Sequence, residues 1–241
     1  MKATEFEFRY RALLIALVYM LGFWAYAIDH KNLTVVIVNK MVGAHSPDVH
    51  LLIGLLYAFA TLLVAFAAAI RTWGAAYLQS NVVHDAKLHS GVLVADGPFR
   101  YVRNPLYLGG IVSTLGIGLG ASRLGAIVIV VGLTFLYLRL AGREEAELEK
   151  EHGERFREYC RRVPRLWPSL APRVPAGDAP PQWGQAFVGE AFMWGFALAF
   201  GVFAVTQNFK LEQMIVAAAL AAFVWQQVTH NRRRRGQELM A

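Results

Sequence analysis

The chain has 241 residues, 56% hydrophobic and 17% charged, with a net charge of +7 and a mean hydropathy of +0.38. A soluble domain of this size averages about 25% charged and 45–50% apolar residues, so apolar excess gathered in blocks excludes an ordinary soluble domain and points to an integral membrane protein. The single cysteine, Cys160, excludes an intrachain disulfide and a cysteine-rich metal site, and the positive charge reads as loops facing anionic lipid, because no base-reading motif accompanies it.

A bilayer core about 30 Å thick takes roughly 20 apolar residues as helix. The first predicted span is 12–28, read as a retained helix because it lacks a small-residue cleavage site. The second, 51–70, carries no charge. Spans 106–121 and 124–141 form a hairpin broken at Ser122-Arg123, with arms somewhat short. Spans 185–206 and 211–229 follow, separated by QNFK. The predicted fold is all-α: a polytopic membrane bundle of about six transmembrane helices with a cytoplasmic amphipathic helix.

Charge supports this topology. Arg9, Arg11, Arg71, Arg100, Arg103, Arg143, Arg155 and Arg232 to Arg235 fall on one side, whereas Lys31, Lys40, Arg123 and Lys210 fall on the other. Positive loops stay in the cytoplasm, so both termini are expected there and the expected location is a bacterial inner membrane. The expected organisation is 1–75, two helices; 76–168, a core with the hairpin and the cytoplasmic helix; 169–184, a proline-rich linker; and 185–241, a terminal hairpin with a basic tail.

Glu145, Leu148, His152, Phe156, Tyr159 and Val163 recur at spacings of three and four, which puts them on one helical face. Gly153 interrupts that helix and permits a break. Prolines crowd 164–181 and favour an extended path. His45 and His50 lie in the far-side loop without an evident third ligand, and Gly116, Gly118 and Gly120 read as close helix packing.

The stretch GPFRYVRNPLYLGG, residues 97–110, sets arginines and a tyrosine against a membrane segment. Pro105 pushes Asn104 out of the α region and starts a helix whose first N–H groups favour an anion. Arg103 adds fixed positive charge there. The hairpin brings Arg143, Glu144 and Glu145 to the same end as Arg103 and Tyr107. A mixed cluster of this kind suits a zwitterionic cofactor. The plainer alternative is a topology signal with snorkelling arginines and helix-start acids.

This stretch resembles the first signature of the isoprenylcysteine carboxyl methyltransferase and phospholipid methyltransferase superfamily. EEAELEKEHGERFREYCRRVPRLWP, residues 144–168, is similar to its second. The two occur in order, with a membrane hairpin between them. The resemblance implies methyl transfer from S-adenosyl-L-methionine to a lipid-borne acceptor at the cytoplasmic interface, with no metal. It implies that Arg103 and Glu145 serve catalysis. His89, Gly97, Asn104, Pro105, Leu106, Tyr107, Glu144 and Glu145 would frame the cofactor. Asn104 stands where the carboxyl methyltransferases usually have histidine, and His152 where the family often has an aromatic. An amine acceptor would need a base, for which Glu145 or His89 serves. The expected partners are the acceptor and membrane lipids, with no nucleic acid and no obligate protein. Two rival classes are an NADPH-dependent sterol-type reductase, suggested by REYCRRVPRLWP, and a non-enzymatic membrane scaffold.

Overall fold

Apolar blocks become helices, and the side chains of Thr4, Asn32 and Ser122 cap the starts of some of them. The computed structural model describes residues 2–78, 95–177 and 180–238, with backbone alone at 227 and 229–238. In chain order the helices are α1 (Glu5–Arg9), α2 (Arg11–Trp24), α3 (Leu33–Val42), α4 (Val49–Tyr77), α5 (Pro105–Leu119), α6 (Arg123–His152), α7 (Glu154–Arg162), α8 (Trp183–Gly189), α9 (Ala191–Thr206) and α10 (Phe209–Glu238). Among the described residues there is no strand, only an isolated bridge between Asn32 and Ser122.

Among the described residues three helices, α4, α6 and the 209–226 part of α10, are long and apolar enough to cross a membrane. A fourth crossing arises if α8 and α9 count as one bent span. The length criterion therefore does not supply the expected six. α5 has 15 residues and is about 22 Å long, short of a core of about 30 Å. The run 185–206, expected as one helix, is bent by 59° between α8 and α9. Glu190 sits at that bend, fully buried. The far-side stretch expected as loop contains α3, capped by the Asn32 side chain on the Val35 amide. His50 belongs to the first turn of α4 and meets the Gln207 side chain at 2.9 Å.

Small residues let the central helices approach. α5 lies along α4, where a Cβ on Gly116 would come 2.9 Å from the Ala60 carbonyl oxygen. α2 crosses α6 at Gly22 and Gly125, where a Cβ on either would overlap the other helix. α9 runs antiparallel to α4, bonding Trp194 to Thr72 at one end and approaching Gly54 with Ala204 at the other. The core centres on Ile129, Leu133, Leu136 and Leu140 of α6, with a second cluster of Tyr57, Ala60, Val64 and Phe200.

The bundle thus has two ends. One gathers α1, the ends of α4 and α6, residues 97–107 and α7. The other holds the α5–α6 turn, where Ser122 caps α6 by accepting from the Gly125 amide. Gly153, with φ of +53°, ends α6 and turns the chain into α7. The expected amphipathic face survives the break, because Phe156, Tyr159 and Val163 are buried with Leu148.

Candidate functional site

Asn104 has φ −124° and ψ 62°, outside the helical region, and α5 starts at Pro105. Pro105 disfavours the α region at the residue before it, and Asn104 avoids that region, though its ψ falls short of the extended values most such residues take. The Asn104 side chain does not cap its own helix. Its amide nitrogen instead donates to Glu145 Oε1 at 2.8 Å and to the Arg165 carbonyl at 3.2 Å.

Glu145 is the centre of a knot. Arg103 Nη1 lies 3.6 Å from its Oε1, and Arg165 Nε lies 3.0 Å from its Oε2. Arg165 also donates to the Leu138 carbonyl. One residue earlier, Glu144 Oε1 accepts from the Tyr107 hydroxyl at 2.8 Å. Arg103, Tyr107, Glu144, Glu145 and Arg165 are half-buried and Asn104 is buried. Arg103 Nε is buried without a hydrogen-bond partner.

The motif loop is braced from behind. Residues 97–100 form a 3-10 turn, and the Tyr159 hydroxyl of α7 donates to the Phe99 carbonyl at 2.7 Å. Gly97 takes φ of +55°, and a Cβ there would enter the Tyr77 ring. Cys160 is half-buried on α7, and burial pushes its thiol pKa up.

A second ion pair lies deeper. Arg71 Nε and Nη2 donate to the two Glu190 oxygens at 2.7 and 2.9 Å, and its Nη1 donates to the Leu106 carbonyl at 3.2 Å. Glu190 has 0% exposure. The Arg71 side chain passes over Gly109, where an added Cβ would sit 2.6 Å from Arg71 Cγ.

The structure therefore brings Arg103, Asn104, Tyr107, Glu144 and Glu145 together. Leu106 is present through its carbonyl, and Pro105 packs on Gly74. Gly97 lies in the supporting turn against Tyr77, and His89 lies outside the described residues. Arg165, Arg71 and Glu190 were not among the sequence candidates. A lone acid in the apolar run AFVGEAFMWGF was the available signal for Glu190, since a buried ionisable group in a membrane segment needs a partner. Among the described residues no three of His, Cys, Asp and Glu converge as metal ligands.

Residues 55–155 match the phospholipid methyltransferase family model. This covers most of α4, the motif loop, α5, α6 and the start of α7, and it bears out the resemblance read from the two signatures. A stretch of 119 residues is 31% identical to the cobalt-zinc-cadmium resistance protein CzcN of Cupriavidus metallidurans, covering 48% of this chain and 51% of that protein. The chain thus spans about half the length of the curated relative it matches. No solved structure matches it.

Proposed function

We propose that the protein is a membrane methyltransferase that uses S-adenosyl-L-methionine and modifies a lipid-borne acceptor. The observation that carries this reading is the meeting of the 103–107 corner with Glu144 and Glu145 at one end of an apolar bundle, inside the family-matched segment. That end is proposed to face the cytoplasm, where soluble cofactor and lipid acceptor both have access.

The donor set fits the cofactor's aminocarboxylate. The partnerless Arg103 Nε and the free amides at the start of α5 suit its carboxylate, whereas Glu145 suits its ammonium. S-adenosyl-L-methionine, when bound, supplies an electrophilic methyl group on a sulfonium. The protein's part is then orientation, which can lower the barrier of an in-line displacement by several kcal/mol. Arg103 also holds a carboxylate acceptor, should the acceptor be of the prenylcysteine kind. For an amine phospholipid, a carboxylate of the Glu144–Glu145 pair removes the proton. Tyr107 fixes Glu144, and Arg165 with Asn104 fixes Glu145.

The test is ligand-dependent thermal stability of the purified protein in detergent. S-adenosylhomocysteine should raise the unfolding temperature and NADPH should not. Stabilisation by NADPH alone would move the protein to the reductase class. No response to either would leave a scaffold.

A further inference from the structure

Besides the Asn104 side-chain bond to the Arg165 carbonyl, further bonds tie the segment after α7 to the motif loop. The Arg103 amide donates to the Pro164 carbonyl at 2.9 Å, the Ser169 amide to Tyr101 at 3.0 Å and the Arg173 amide to Arg100 at 2.8 Å. Arg100 Nε returns a bond to the Val174 carbonyl at 3.0 Å. What reads in sequence as a proline-rich linker is therefore, over residues 164–174, a strap across the loop that carries Arg103.

Its neighbours fix its level in the bundle. Arg165 reaches the carbonyl of Leu138, near the end of the apolar run 124–141. Tyr101, held by Ser169, lies against Trp73, just beyond the charge-free run 51–70, with ring centroids 5.8 Å apart. The strap thus crosses where the apolar spans give way to charged residues, the level at which tryptophan and arginine collect in membrane proteins.

From this tied backbone Trp167 projects with 86% exposure, and Leu170 is fully exposed. Six arginines and two glutamates stand between residues 154 and 173. Although Arg157, Arg161, Arg162 and Arg165 are paired with glutamates, the segment keeps an excess of positive charge, and an exposed indole and leucine within such a segment match a headgroup layer that is apolar below and anionic above.

We propose that the strap is a membrane-surface anchor: Trp167 and Leu170 enter the headgroup–acyl boundary of an anionic bilayer, and the bilayer thereby holds the Arg103 loop in its working position. The occupant of this patch is lipid, neither a second copy nor a soluble protein. The coupling to the loop concerns the site of the proposed function, but the insertion is measured without any methyl transfer.

The experiment uses the full chain in nanodiscs of phosphatidylglycerol and phosphatidylcholine, with phosphatidylcholine brominated high or low on its acyl chains. The share of fluorescence due to Trp167 is the difference between wild type and Trp167→Phe. That share should be blue-shifted, quenched more by high than by low bromines, and shielded from iodide. Replacing phosphatidylglycerol by phosphatidylcholine should weaken the quenching. Trp167→Phe combined with Leu170→Trp moves the reporter and should give a similar depth. Quenching by iodide with no response to bromine would overturn the anchor. Shielding from both would also overturn it, by showing protein on the patch. Unchanged quenching without phosphatidylglycerol would refute the anionic preference. In Trp167→Ser with Leu170→Ser, hydrogen exchange of the 101–103 amides should speed up; unchanged exchange would refute the coupling.

Discussion

The two ion-paired knots at the site end are built differently. Glu145 meets Arg103, Arg165 and Asn104 in a half-buried setting at the edge of the bundle. Among the described residues the fully enclosed Glu190 carboxylate meets only Arg71, whose own side chain is 16% exposed, through two short bonds. The outer knot has several partners, so it can exchange one for a ligand. The inner pair has no such reserve, and losing one partner strands a buried charge. The outer knot is therefore suited to binding, and the inner pair to fixing the geometry of α4, the α8–α9 bend and the start of α5.

The inner pair should give the largest effect when broken. Glu190→Ala or Arg71→Ala should destabilise the protein by about 3–5 kcal/mol, the usual cost of leaving half of a buried pair. The double change Arg71→Met with Glu190→Leu should recover most of that. Unfolding in detergent measures both, and equal losses in single and double variants would contradict this division. Gly109→Ala should follow, at about 1–3 kcal/mol, because its new Cβ strikes Arg71 Cγ and the Ala67 carbonyl oxygen.

The outer knot should respond in function more than in stability. Arg103→Ala should lower methyl transfer on the order of a hundredfold, the scale for removing one preorganised donor, while the protein still inserts. Full turnover would remove Arg103 from the site. Glu145→Gln should weaken S-adenosylhomocysteine binding about tenfold, as expected for losing one charged hydrogen bond; calorimetry checks it.

The smallest effect concerns Glu7, outside the spans. Hydrogen bonds from Arg139 hold its pKa at about 2 instead of 4.5. A depressed carboxylate stabilises the fold fully above its unfolded value and loses that contribution as the pH falls toward 2. Glu7→Gln should therefore lower stability slightly at every pH above about 4.5, pH 7 included, and flatten the acid limb of the stability profile between about pH 4.5 and 2, where wild type loses the same contribution.

The outer knot could be anticipated because its pieces flank a hairpin. Ser122 and Arg123 mark a turn, and two antiparallel arms bring residue 103 back to residue 145. Pro105 likewise announces the start of α5. The inner pair spans 119 positions, and nothing local in either run names its partner. The bend at Glu190 follows from that pairing, so it was equally hidden. The proline run predicted an extended path but not the bonds that lay it across the Arg103 loop, since those depend on the tertiary position of residues 100–104.

The most direct measurement is transfer of labelled methyl from S-adenosylmethionine by the purified, reconstituted protein into a total lipid extract. The account predicts label in a lipid fraction, reduced on the order of a hundredfold in Arg103→Ala. Label that never leaves the cofactor, in protein that binds S-adenosylhomocysteine and is fully folded, would contradict it.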